Sequence, residues 1–230
     1  MKLLVAILSA LLLFTVTVVA QTPAELNKHF DFSKLLASPE YTGFNGVFDK
    51  NYSRLQIHFE TIKQDSSDAE LYHITGASRH RNVVTPFSGK IKIEQVKPAQ
   101  VNITKEFPEA KFLSVEAVYE LNENSKSPYS GSFTGKLQFI FQQNKQGAIL
   151  PAASTEFKPY SNFTYNGIWK HYKSGSEVWC AWGLGHLPVP AGVDVGENDF
   201  EIAEKYRNNG WKKDKNQQLT DNPKEWWKKP

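Results

Sequence analysis

Residues 132–141 read SFTGKLQFIF. Phe133, Gly135, Leu137, Phe139 and Phe141 share one parity, and Ser132, Thr134, Lys136 and Gln138 the other. A period of two puts successive side chains on opposite faces of a strand, here an apolar face for a core and a polar face for water. The same alternation recurs on both sides. RLQIHFE (54–60) sets Leu55, Ile57 and Phe59 against Gln56, His58 and Glu60. PFSGKIKIEQV (86–96) sets Phe87, Gly89, Ile91 and Ile93 against Ser88, Lys90, Lys92 and Glu94. KFLSVEAVYEL (111–121) aligns Leu113, Val115, Ala117 and Tyr119. The connections are short and rich in Asn, Ser, Asp, Gly and Pro, as hairpin turns are. No amphipathic helix long enough for a parallel crossover interrupts them. The expected fold is all-β: an antiparallel meander of about eight to ten strands closing into a lipocalin-like barrel, with a β-sandwich as the alternative.

An aromatic-x-Gly-x-apolar pattern appears at Phe44-Gly46-Phe48, Phe87-Gly89-Ile91, Phe133-Gly135-Leu137 and Tyr165-Gly167-Trp169. Glycine within a strand marks a bend or a close backbone approach, and closed barrels need such bends. The repeat is therefore read as architectural. The last copy opens YNGIWKHYKSGSEVWCAWGLGH (165–186), which holds three of the six tryptophans and the single cysteine. It reads as a hairpin turning at KSGS, with Trp169 and Cys180 facing inward and Trp179 alternating outward. Cys180 behaves as a small buried hydrophobe. Trp169, His171, Tyr172, Trp179 and Trp182 are the candidate ligand contacts, since such rings pack on an apolar molecule or stack on a sugar.

The chain begins with Lys2, an apolar run over residues 3–14 and small residues ending at Ala20, the layout of a secretory signal peptide over residues 1–20. Residues 21–39 are expected to form a short, partly helical segment, residues 40–210 the barrel domain, and residues 211–230 a basic aromatic tail. With one cysteine no intrachain disulfide forms, which suits a bacterial export product of the periplasm or exterior. The net charge is +3, and the tail alone holds six Lys against three acids. The body is nearly neutral, so a nucleic-acid partner is not expected. No later segment has the length and apolarity of a transmembrane helix. The tail, with Trp226 and Trp227 among lysines, suits an acidic partner or a membrane surface, or folds back to close one end of the barrel.

Asp194, Glu197 and Asp199 lie in GVDVGENDF (192–200), where carboxylates around glycines are candidates for calcium, although no cofactor is expected. The spacing is not that of an EF-hand, and a solvated turn accounts for it more simply. No P-loop, dinucleotide fingerprint, zinc spacing or nucleophile elbow is present. The expectation is a secreted, non-catalytic protein holding a small apolar or amphipathic ligand in a barrel mouth. The alternatives are a carbohydrate- or protein-binding module with a filled core, and a hydrolase whose carboxylates converge from distant strands.

YNGIWKHYKSGSEVWCAWG, PAGVDVGENDFEIAEKYRNNGW and LYHITGASRHRNVVTPFSGKIKI together resemble a family of exported proteins of Bacteroidetes-type bacteria, over roughly residues 40–211. That family carries no activity to transfer. Its arrangement is similar to the calycin group, in which lipocalins close antiparallel strands around an apolar ligand. Gly167-Ile168-Trp169 is similar to the lipocalin Gly-x-Trp, here late in the chain rather than on the first strand.

Overall fold

The structure, a computed structural model, describes residues 27–37, 43–101, 111–152, 159–212 and 225–228. Residues 1–20, where a leader is expected, lie outside the described residues. A short helix, α1 (Ser33–Leu36), precedes nine strands: β1 (Gly43–Phe48), β2 (Ser53–Gln64), β3 (Leu71–His80), β4 (Val83–Pro98), β5 (Lys111–Glu123), β6 (Gly131–Gln143), β7 (Ile149–Pro151), β8 (Ser161–His171) and β9 (Glu177–Gly185). Their order is β5-β4-β3-β2-β1-β9-β8-β6, and β5 pairs again with β6. Eight antiparallel strands thus close into a barrel, and the sandwich alternative falls away. β7 is the extra strand: it pairs with β6 at Phe141–Gln143, beyond the stretch that β8 covers.

The alternation that defines the strands also fills the barrel. Inward positions supply one continuous core that includes Phe44, Ile57, Tyr72, Ile91, Val115, Phe133, Tyr165 and Trp182. Tyr165 and Trp182 lie parallel with ring centroids 5.0 Å apart, and Tyr119 meets both edge-on. Such rings fit because glycine leaves room between the strands. Gly135 and Gly167 are register partners on β6 and β8. A Cβ on Gly167 would overlap the Thr134 carbonyl oxygen and stand 2.6 Å from the Tyr119 hydroxyl. Gly46 and Gly89, from the other copies of the repeat, are equally hemmed in by neighbouring strands. Register shifts at Phe59/Thr61, Ile93/Gln95 and Asn162/Tyr165 bend the strands further.

One end of the barrel is plugged. Phe30, Phe32, Leu35 and Leu36 are buried in the main core. The Phe32 ring meets Phe139 and Phe141 edge-on at 5.4 and 5.3 Å, and its backbone N–H donates to Tyr72 Oη at 3.0 Å. Asn27 ties the plug to the β4 bulge. Its Oδ1 accepts from Val96 N at 2.7 Å and its Nδ2 donates to Glu94 O at 2.9 Å. Residues 27–37 therefore belong to the barrel core, although the change of period sets the barrel domain from residue 40. A second apolar cluster lies on the outer wall, where Leu187, Val193, Ile202 and Trp211 cover Val47 and Ala181. Trp227 stacks flat on His58 of β2 at 3.7 Å, so the tail's tryptophan pair rests against the barrel wall. Among the described residues no helix is long and apolar enough to cross a membrane.

Gly167→Ala is expected to lower unfolding stability by about 2–4 kcal/mol, because the added methyl meets backbone on one side and a buried ring on the other. Ile168→Ala, at the exposed neighbouring position, should stay within about 1 kcal/mol of the parent. Urea unfolding midpoints of the two variants check this.

Candidate functional site

The end opposite the plug is open. Four connections ring it: residues 49–52, 81–82, 124–130 and 172–176. Between them lies a cavity of ≈ 510 Å³, in the range of small-ligand pockets. Its apolar wall comes from Phe48, Leu55, Val83, Tyr129, Phe133 and Trp169. Its polar groups are Asp49, Ser78, His80, Arg81, Thr85 and Glu123. The strand period explains the mixture: Ser78 and His80 continue the inward face of β3, and Glu123 that of β5, where apolar residues give way to polar ones near the open end.

Glu123 organises this end. Its residue is only 7% exposed. One carboxylate oxygen accepts from Gly131 N at 2.8 Å and Trp169 Nε1 at 3.0 Å, and the other accepts from the Ser78 hydroxyl. The bonds come from the start of β6, the end of β8 and β3, so one side chain pins three strands at the rim. Burial raises its pKa above the ordinary carboxylate value, and the hydrogen bonds from Ser78, Trp169 and Gly131 work against that rise. His80 sits nearby with its ring 4.4 Å from Phe48. Burial and the Arg81 charge lower its pKa, and Asp49 opposes them.

Ser53 Oγ lies 3.0 Å from His80 Nε2, 3.0 Å from Phe48 O and 3.1 Å from Asp49 Oδ2. The hydroxyl has one proton for three partners, the direction of its bond to His80 follows the histidine tautomer, and the Asp49 carboxylate sits on the serine. A serine nucleophile requires histidine accepting the serine proton, with the carboxylate on histidine. This Asp–Ser–His order braces the β1–β2 connection and does not activate the hydroxyl.

Of the five candidate ligand contacts, Trp169 lines the cavity. His171 stands beside it at the rim, rings 5.5 Å apart, and its Nδ1 is bonded to Ser174 Oγ at 2.7 Å. Tyr172 is half exposed, and its hydroxyl donates to Glu123 O at 3.2 Å, clasping the β8–β9 turn to β5. The other two tryptophans are elsewhere. Trp182 is fully buried in mid-barrel, with no hydrogen-bond partner for its Nε1. Trp179 is on the outer wall beside Tyr52, and its Nε1 donates to Asn166 Oδ1 at 2.8 Å. The hairpin's alternation was readable in sequence, but not its height in the barrel, and height decides which tryptophan reaches the cavity. Phe48 and Phe133 stand in the sequence as members of the glycine repeat rather than as ligand contacts, and Ser78, His80 and Glu123 carry no motif that marks them. The available signal was phase: Glu123 is an acid on the inward parity of β5, and His80 a titratable group on that of β3.

The calcium candidates do not assemble. Asp194 Oδ2 is bonded to His186 Nδ1 at 2.7 Å, and its Oδ1 accepts from Gly196 N and Glu201 N at 3.0 and 3.1 Å. Glu197 and Asp199 are exposed. Among the described residues no three His, Cys, Asp or Glu side chains gather where a metal could sit. Asp194 locks its own loop, which satisfies the oxygens a cation would need. A second cleft, ≈ 420 Å³, opens on the outer wall among Arg54, Arg79 and Arg81. Arg54 Nε is bonded to Asn45 Oδ1, and Arg79 to Gln56 and Asn82, so two of these guanidiniums already hold the wall together. The open barrel end, with an apolar wall and converging buried polar groups, is the better candidate.

No protein-family model, curated protein or solved structure matches this chain, and the site stands on its own geometry.

Two outcomes follow from the charges. Because its folded pKa is raised, Glu123 binds its proton more readily in the folded protein than in the unfolded chain. Its contribution favours folding below the ordinary value of 4.5 and is lost as pH rises through the higher folded value. Glu123→Gln can accept from Gly131 and Trp169 through its carbonyl and donate to Ser78 through its amide, so it should fold and flatten that fall in stability. Glu123→Ala strands buried donors and should cost about 2–4 kcal/mol. Chemical unfolding between pH 4 and 8, a range of about four units around the shift, measures both. Burial and then the Glu123 charge push the Cys180 thiol pKa well up. Cys180 should therefore resist a thiol reagent in the folded protein at pH 8, roughly a unit below the ordinary thiol value, and react at once in denaturant.

Proposed function

We propose that this protein is an exported, non-catalytic carrier that holds a small apolar or amphipathic molecule in the open end of its barrel. The observation that carries the reading is the asymmetry of the two ends. The chain spends four large apolar side chains of residues 30–36 on filling one end. At the other it leaves a ligand-sized cavity walled by Phe48, Phe133 and Trp169. An apolar cavity open to water is stabilised by a molecule that displaces that water. The polar groups at its base fix the orientation of such a molecule. Catalysis is the weaker reading. Asp49, the acid beside Ser53 and His80, is bonded to the serine, whereas a nucleophilic triad has its carboxylate on the histidine, and both Glu123 oxygens are committed to Ser78, Gly131 and Trp169 in bonds that hold the rim together. The apolar run over residues 3–14 is what supports export, and the closed antiparallel barrel is compatible with a carrier.

Trp169 is the one tryptophan among the cavity-lining residues, which makes it a reporter. An apolar fluorophore or indole-type ligand should change tryptophan emission in the parent protein. Trp169→Phe, which keeps a ring in the wall, should still bind but lose most of that change. Binding with an unaltered emission change in Trp169→Phe would place the ligand elsewhere. Native mass spectrometry of the exported protein, before and after incubation with a lipid mixture, should show a non-covalent adduct of a few hundred daltons, on the order of a drug-sized ligand.

A further inference from the structure

The polar groups of the open end are unevenly placed: two carboxylates, Asp49 and Glu123, two hydroxyls, Ser78 and Thr85, the His80 ring and one guanidinium, Arg81. Glu123 presents a carboxylate with about four lone-pair directions, of which Ser78, Gly131 and Trp169 fill three. His80, also in the lining, is bonded through Nε2 to Ser53 Oγ at 3.0 Å. Asp49 adds a second carboxylate, and Arg81 is the only cationic side chain in the lining. The Ser78 hydroxyl is already committed, since its oxygen lies within bonding distance of both Glu123 and Thr85 O. Arg81 is exposed on the connection between β3 and β4, whereas Glu123 is buried, so the buried charge in the lining is a carboxylate. A buried carboxylate flanked by Trp169, with Phe48 and Phe133 in the same wall, is what a cation on an apolar body would complement, through a charge-assisted hydrogen bond and the faces of the rings.

We propose that the ligand is an organic ammonium ion, a primary or secondary amine on an aromatic or branched apolar body, whose N–H donors are taken by Glu123 while the body lies among Trp169, Phe48 and Phe133. This rests on the open end being the binding site. The cation would neutralise a carboxylate that the fold otherwise keeps buried with no positive partner bonded to it among the described residues.

The test uses one indole body with three heads: tryptamine, its alcohol counterpart tryptophol, and indole-3-propionate, each titrated calorimetrically into the parent protein and Glu123→Gln. In the parent, tryptamine should bind about 10-fold or more tighter than tryptophol, as a hydrogen bond to a charged group implies, with indole-3-propionate weakest. In Glu123→Gln the advantage of tryptamine should shrink to about twofold or less, with tryptophol binding retained. A further probe keeps the question on the parent protein should that variant fold poorly. N,N,N-trimethyltryptammonium keeps the charge but has no N–H donor, and should lose about 10-fold against tryptamine. Equal binding of tryptamine and tryptophol to the parent would overturn the ammonium assignment and leave the open end as an apolar site. Failure of all four probes to bind or to alter Trp169 emission would overturn both. A tryptamine preference that survives Glu123→Gln would overturn the role given to Glu123.

Discussion

Gly135 and Gly167 face each other across β6 and β8 with no room for a Cβ on either, and the rest of the barrel depends on that close approach. Where two glycines meet, the inward face has a gap. Tyr119 reaches across from β5 to fill it, its hydroxyl 2.6 Å from where a Gly167 Cβ would be. Tyr165 and Trp182 then stack against it and complete the middle of the core. The apolar transfer of such rings is the main stabilising contribution of a barrel this size, and it is available only if the wall yields space for them. The cost is visible in the same place: Tyr119 Oη, Tyr165 Oη and Trp182 Nε1 are buried without a hydrogen-bond partner.

With the middle filled, function is confined to the ends. The plug end is apolar throughout, with Phe30 and Phe32 against Phe139 and Phe141. The open end keeps one buried carboxylate, and that carboxylate is also structural, bonding to β3, β6 and β8 at once. A group that must accept hydrogen bonds to hold the rim together is fixed in position, which is what orienting a ligand requires. Stability and recognition thus meet on Glu123, and the two roles are separable because glutamine can satisfy the same donors without the charge.

The strands, their pairing in a meander and the inward parity of nearly every core residue were legible from the period of two. So was the repeated glycine, whose close approach to a neighbouring strand is seen at each of its copies. The site was less legible. Reading tryptophans as a cluster joined Trp169, Trp179 and Trp182, because they are close in sequence. In the barrel they occupy three environments: cavity wall, outer wall and mid-core. The acids of residues 194–199 were close in sequence too, and hydrogen bonds to His186 and to backbone N–H groups turned Asp194 away from the other two.

The sequence by itself determined that alternating strands would close around an aromatic core, because parity is local: each residue's face follows from its neighbours one and two positions away. Only the tertiary structure decided which end would be sealed and which left open. That depends on residues 27–37 docking against strands more than a hundred positions away and on Glu123 meeting Trp169, |i−j| = 46, at a shared height in the barrel. Height is set by register and by the bulges at Phe59/Thr61, Ile93/Gln95 and Asn162/Tyr165; a bulge shows in one strand as a change of parity, as from Phe59 to Ile62, but parity in one strand does not say which residue of a distant strand it comes to face.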